Sequence, residues 1–110
     1  MAQPKISPSQ PTASPELARL RQQLQAHLPE LAQHYRVKSL GLFGSYVRHE
    51  QTPQSDLDVL VEFDEPPSLF QFIRLEQRLS DVLRVKVDLV MKDSLKPAIG
   101  RHILREVVPV

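Results

Sequence analysis

Apolar side chains recur along this chain with two different periods. Leu17, Leu20, Leu24, Leu28 and Leu31 are three or four residues apart, the spacing of a stripe on one side of a helix. Ser14 stands ahead of the stripe as a cap, Pro15 suits the first helical position, and Glu16 faces the positive end of the helix dipole. Pro29 interrupts the stripe and predicts a kink or a split near His27–Leu28, because proline removes a backbone donor and its ring crowds the preceding turn. The helical pattern ends near Tyr35.

From Val37 the period shortens to two. Val37, Ser39, Gly41 and Phe43 alternate with Lys38, Leu40 and Leu42, and apolar groups on both faces suit an interior strand. Gly44-Ser45 follows at once. Residues 46–50 allow about one helical turn, and Gln51-Thr52-Pro53-Gln54 reads as a turn. A second strand runs from Ser55 to Phe63, with Leu57, Val59, Val61 and Phe63 on one face and Asp56, Asp58, Leu60 and Glu62 on the other. Asp64-Glu65-Pro66-Pro67 stops it. Ser68 and Gln71 form a capping box for the next helix, whose expected buried stripe is Leu69, Phe72, Ile73, Leu79 and Leu83. A third strand spans Val85–Met91, with Val85, Val87 and Leu89 opposite Lys86, Asp88 and Val90. Asp93-Ser94 would cap a last helix that packs Leu95, Ile99, Ile103 and Val107. The expected architecture is α/β (α+β): a small three-stranded mixed sheet flanked by helices.

Residues 1–13 do not join this pattern. They carry Pro4, Pro8 and Pro11 among Ser, Gln and Thr and offer almost nothing to bury, so a disordered Pro-rich tail is expected ahead of a domain at 14–110. At 110 residues the chain has the length of one domain. It lacks cysteine, which excludes disulfides, thiol catalysis and zinc–thiolate sites and fits a reducing compartment. No apolar run approaches the roughly 18 residues that span a bilayer, and the first residues hold no hydrophobic signal core. A cytoplasmic protein with no membrane association is the default. A net charge of +1 and the lack of a basic stripe argue against direct nucleic-acid binding.

The acids are uneven. Asp56, Asp58, Glu62, Asp64 and Glu65 fall in a stretch without Lys or Arg. Asp56 and Asp58, two apart on a strand, point to the same face roughly 6–7 Å apart at Cα. Such carboxylates raise each other's pKa unless a cation offsets them. Mg²⁺ suits them, as one ion or as a pair about 3.5–4 Å apart. The alternative is a solvated strand face. Gly44-Ser45 lets an anion approach backbone N–H groups at the start of a helical turn, or is only a turn and its cap. Asp88, in an otherwise apolar setting, pairs with Lys86 or faces the same site as Asp56 and Asp58.

The combination is more specific than its parts. Phe43-Gly44-Ser45-Tyr46-Val47-Arg48-His49-Glu50, then Ser55-Asp56-Leu57-Asp58-Val59-Leu60-Val61, resembles the signature of the minimal nucleotidyltransferases of the DNA polymerase β superfamily, over about residues 17–108. The resemblance implies that Gly44 and Ser45 hold the phosphates of ATP. It implies that Asp56, Asp58 and Asp88 ligate one or two Mg²⁺ ions and carry catalysis, with Asp88 activating the attacking hydroxyl. Arg48 matches an Arg usual in the family and would touch phosphate or pair with an acid. His49 stands where the family commonly has glycine, so this turn is expected to differ. Small members often act as antitoxins beside a HEPN-type toxin ribonuclease, and some transfer AMP to a tyrosine of that partner. The resemblance thus implies an adenylyl-transferring antitoxin with a HEPN-type partner. A non-catalytic antitoxin that masks its toxin is the alternative, and homo-oligomerisation is left open. His27, His34, His49 and His102 show no metal spacing, and Arg101 and Arg105 suit either a partner or solvent.

Overall fold

The computed structural model describes residues 14–110; the expected tail at 1–13 lies outside the described residues. The elements are α1 (Pro15–Tyr35), β1 (Val37–Phe43), β2 (Leu57–Phe63), α2 (Leu69–Leu83), β3 (Val87–Met91), α3 (Pro97–Glu106) and β4 (Val108–Pro109). They form one four-stranded sheet in the order β3-β2-β1-β4. β1 runs antiparallel to β2 and β4, whereas β2 and β3 are parallel. A parallel pair needs a crossover rather than a tight turn, and α2 is that crossover.

The helix signals are realised. The Ser14 hydroxyl accepts from Leu17 N–H at 3.2 Å, and the Ser68–Gln71 capping box is complete. Pro29 does not split α1, which stays one helix of 21 residues. Leu17, Leu20, Leu24 and Leu31, buried on both sides of Pro29, hold its two halves on one packing surface.

That surface is the main core. The α1 leucines and Leu75, Leu79 and Leu83 of α2 cover one sheet face made by Val37, Leu40, Leu42, Leu57, Val59, Val61, Val87 and Leu89. Burying each such side chain favours folding by about 1.5–3 kcal/mol. A register shift between Val37 and Ser39 puts an extra residue into β1. This bulge reverses the alternation, so Val37, Leu40 and Leu42 share the core face while Phe43 turns to the other side. There α3 lies over a smaller cluster of Phe43, Leu60 and Ile103.

Four expectations are corrected. The sheet has four strands, because Val107 leaves the helix in an extended conformation and the chain pairs with Gly41 and Leu42. Leu69 and Ile73 are exposed and Leu75 takes the core position; Ile73, two residues before Leu75, points to nearly the opposite side of the helix. The last helix starts at Pro97 after a 3-10 turn at Lys92–Ser94, and Ile99 is exposed. β2 begins at Leu57 and β3 at Val87, each two residues later than expected, so Asp56 stands just ahead of its strand. Among the described residues no helix is long and apolar enough to cross a membrane.

Candidate active site

The site forms where β1 ends beside the start of β2 and β3. Gly44 leaves β1 with φ 83°, and a Cβ there would run into the Asp58 carboxylate. Only glycine suits both the backbone angle and the close approach. Val47 and Arg48 N–H both donate to Gly44 C=O at 3.1 Å, and Glu50 N–H donates to Ser45 C=O at 2.8 Å, closing a single turn. Within the described residues no backbone hydrogen bond engages the N–H of Ser45 or Tyr46. These donors stand ready for an anion.

The turn ends at His49 with φ 61°. The expected difference from a glycine turn therefore does not arise in the backbone angle: histidine adopts the left-handed conformation itself, at some strain. Tyr46 is buried in the main core, as a packing residue. Burial pushes its hydroxyl pKa up, and the charges of Glu16 and Asp56 add to the effect.

The three aspartates gather beside this turn. Asp58 and Asp88 are register partners on parallel strands, so they project to the same face. Asp58 is half-buried and its pKa is pushed up to about 6, first by burial and then by the charges of Asp88 and Asp56; Arg48 opposes the rise and Glu106 adds to it. Asp88 makes no ion pair among the described residues, with Lys86 or any other cation. The alternative of a structural Lys86–Asp88 pair is not realised.

This crowding is the observation that bears on a metal. Like charges held close together, one of them half-buried, favour a bound cation. Yet among the described residues no three His, Asp or Glu side chains converge closely enough to hold a metal ion by themselves. The donor set fits Mg²⁺, a hard ion that completes its shell with water and substrate phosphate, and does not form a closed protein cage.

Arg48 pairs with acids. Its Nε donates to Glu50 at 3.0 Å, and its Nη1 donates to both oxygens of Glu106 at 3.1 Å. Glu106 also accepts from Gly44 N–H at 2.7 Å. Glu106 was not legible as a site residue: it lies 62 positions from Gly44 at the end of another helix, and no local motif marks it. Of the four histidines, His49 ends the site's turn, and Arg101 and Arg105 are exposed.

The fold and this constellation define a nucleotidyltransferase. The chain belongs to the nucleotidyltransferase domain family, whose model matches residues 24–109, and it is an enzyme of that class. It is 53% identical over 87 residues to protein adenylyltransferase MntA of Thermococcus cleftensis, covering 79% of this chain and 88% of that one. Its fold matches the structure of a proposed minimal nucleotidyltransferase with a TM-score of 0.74 and 35% identity, over 89% of this chain and 99% of the other. It also matches a complex of tri-AMPylated Shewanella oneidensis HEPN toxin with MNT antitoxin, with a TM-score of 0.55 and 20% identity, over 86% of this chain and 67% of that one. At that identity the likeness speaks for the fold alone.

Proposed function

We propose that this nucleotidyltransferase moves AMP from ATP to a tyrosine hydroxyl of a HEPN-type toxin and so acts as its antitoxin. The observation that carries the reading is the approach of Asp58 and Asp88, with Asp56 close by, to a glycine turn with free N–H groups. The T. cleftensis relative supports protein adenylyl transfer, and the Shewanella complex shows a protein of the same fold bound to a HEPN toxin.

In this reading Ser45 and Tyr46 N–H and the Ser45 hydroxyl hold phosphate oxygens of ATP. Gly44 keeps the backbone close enough for them to do so. Asp56, Asp58 and Asp88 would hold Mg²⁺, with phosphate oxygens and water completing its shell. When bound, Mg²⁺ supplies the positive charge that offsets the triphosphate and orients it. Asp88, the exposed member, takes the proton of the acceptor hydroxyl. The hydroxyl oxygen then bonds to the α-phosphorus, and the bond from that phosphorus to the bridging oxygen breaks and releases pyrophosphate. Positioning and electrostatics would supply most of the rate, as in other phosphoryl transfers.

The test is incubation with Mg²⁺, each α-labelled nucleoside triphosphate and a HEPN-type partner, followed by mapping of the label. AMP on a partner tyrosine, absent with Asp56→Asn/Asp58→Asn, is the expected result. Neutralisation of the toxin with no label from any nucleotide would instead assign masking by binding.

A further inference from the structure

Glu106 is a carboxylate in an unfavourable place. It ends α3, where the negative end of the helix dipole disfavours an acid. Its side chain is only 16% exposed, and it lies near Asp58, whose pKa it helps to raise. Two donors offset these costs: Gly44 N–H at 2.7 Å and Arg48 Nη1 at 3.1 Å. Charge-assisted bonds of this kind are about twice as strong as neutral ones.

The two donors belong to the same turn. Gly44 opens it, and Arg48 closes it by donating back to Gly44 C=O. One side of Gly44 is pressed against the Asp58 carboxylate and its N–H is held by Glu106. The turn is therefore gripped between β2 and α3. The N–H groups of Ser45 and Tyr46, next along the chain, make no backbone hydrogen bond among the described residues.

We propose that Glu106 is a positioning residue for the nucleotide. Its carboxylate binds Gly44 and Arg48 into one rigid unit, and α3 thereby sets where the phosphate-binding donors point. This rests on the reading of the Gly44-Ser45 turn as the phosphate site. Glu106 does not touch the substrate; it acts through the backbone of the turn. Arg48, held by Glu106 and Glu50, serves as a strut rather than as a free phosphate ligand.

The test is equilibrium binding of an ATP analogue that cannot be cleaved between the α- and β-phosphates, with Mg²⁺, to the full chain. Glu106→Ala should weaken binding by about tenfold, the size of effect of one lost charge-assisted bond. Glu106→Gln, which keeps an acceptor for Gly44 N–H, should recover part of the loss. Arg48→Ala/Glu106→Ala should bind no worse than the weaker single variant, since the two act as one unit. In the free protein the Gly44 amide proton should resonate downfield and move upfield in Glu106→Ala, which reads the contact without any ligand. Wild-type affinity in folded Glu106→Ala, or tighter binding in Glu106→Gln, overturns the positioning role and makes Glu106 a bystander or a competitor of phosphate. Should Glu106→Ala fail to fold, Glu106→Gln and the Gly44 resonance decide alone. If wild-type protein binds no analogue at all, the reading of the turn as a phosphate site falls, and this inference with it.

Discussion

The two faces of the sheet follow opposite rules. The face under α1 and α2 is apolar throughout: seventeen buried side chains form one cluster, and every one is hydrophobic or tyrosine. The face under α3 has a small apolar patch of Phe43, Leu60 and Ile103, and beyond it the carboxylates of Asp58, Asp88 and Glu106. The first face is at peace with itself, whereas the second holds like charges around the half-buried Asp58. Many mutually supporting contacts on the first face outweigh the repulsion on the second. Functional sites commonly depart from local optimality in this way, with the rest of the fold holding them in place.

Substitutions on the two faces should therefore separate stability from chemistry. The largest effect is expected from Asp56→Asn/Asp58→Asn. It should lower the rate of nucleotidyl transfer at least about a thousandfold, several kcal/mol of lost transition-state stabilisation. It should not lower the melting temperature of the protein without metal. A fall in stability along with activity would break the division between the faces. Leu79→Ala is the mirror image. Leu79 is 1% exposed in the main core, and its truncation should cost about 2–5 kcal/mol in chemical denaturation. The fraction that remains folded should bind nucleotide with unchanged affinity.

The pH dependence sharpens the contrast. Asp58 titrates at about 6 in the folded protein against an ordinary 3.8. A raised carboxyl pKa means that the fold prefers the protonated form. That stabilising contribution is fully present below pH 3.8 and is lost as pH rises through about 6. Without divalent cation, Asp58→Asn should thus melt higher than wild type at about pH 8, and the gap should close as pH falls through about 6 toward 4. Equal gaps at both ends of that range would mean that the pocket is not strained. The smallest effect belongs to Ser68→Ala. Loss of the cap of α2 should cost about 1 kcal/mol of stability and leave transfer unchanged, because α2 begins at the other end of the sheet.

Where local chemistry decides, the chain was legible. The Ser14 and Ser68 caps, the three main strands and the facing acids follow from side-chain period and hydrogen-bonding capacity within a few residues. The pattern named Leu79 and Leu83 on the buried side of α2 but misplaced that side in the first turns of the helix. Leu69 and Ile73 look as apolar as Leu75, and only the position of the sheet chooses among them. The pattern did not reveal β4. Two residues carry no period, and their pairing with Gly41 and Leu42 is a long-range contact. Pro29 read as a kink or a split, and packing on both sides of it keeps α1 one helix.

The candidate site divides along the same line. The spacing of Asp56 and Asp58 by itself set two carboxylates toward one side, because a strand aims alternate residues the same way, and Gly44-Ser45 marked a turn; that the turn lies against Asp58 was decided by the fold. That Asp88 faces these acids instead of Lys86 was decided by the parallel register of β2 and β3. That Glu106 grips Gly44 and Arg48 was decided by the path of α3 across the sheet. Both are contacts between residues distant in sequence, and such contacts exist only once packing has chosen which elements lie side by side.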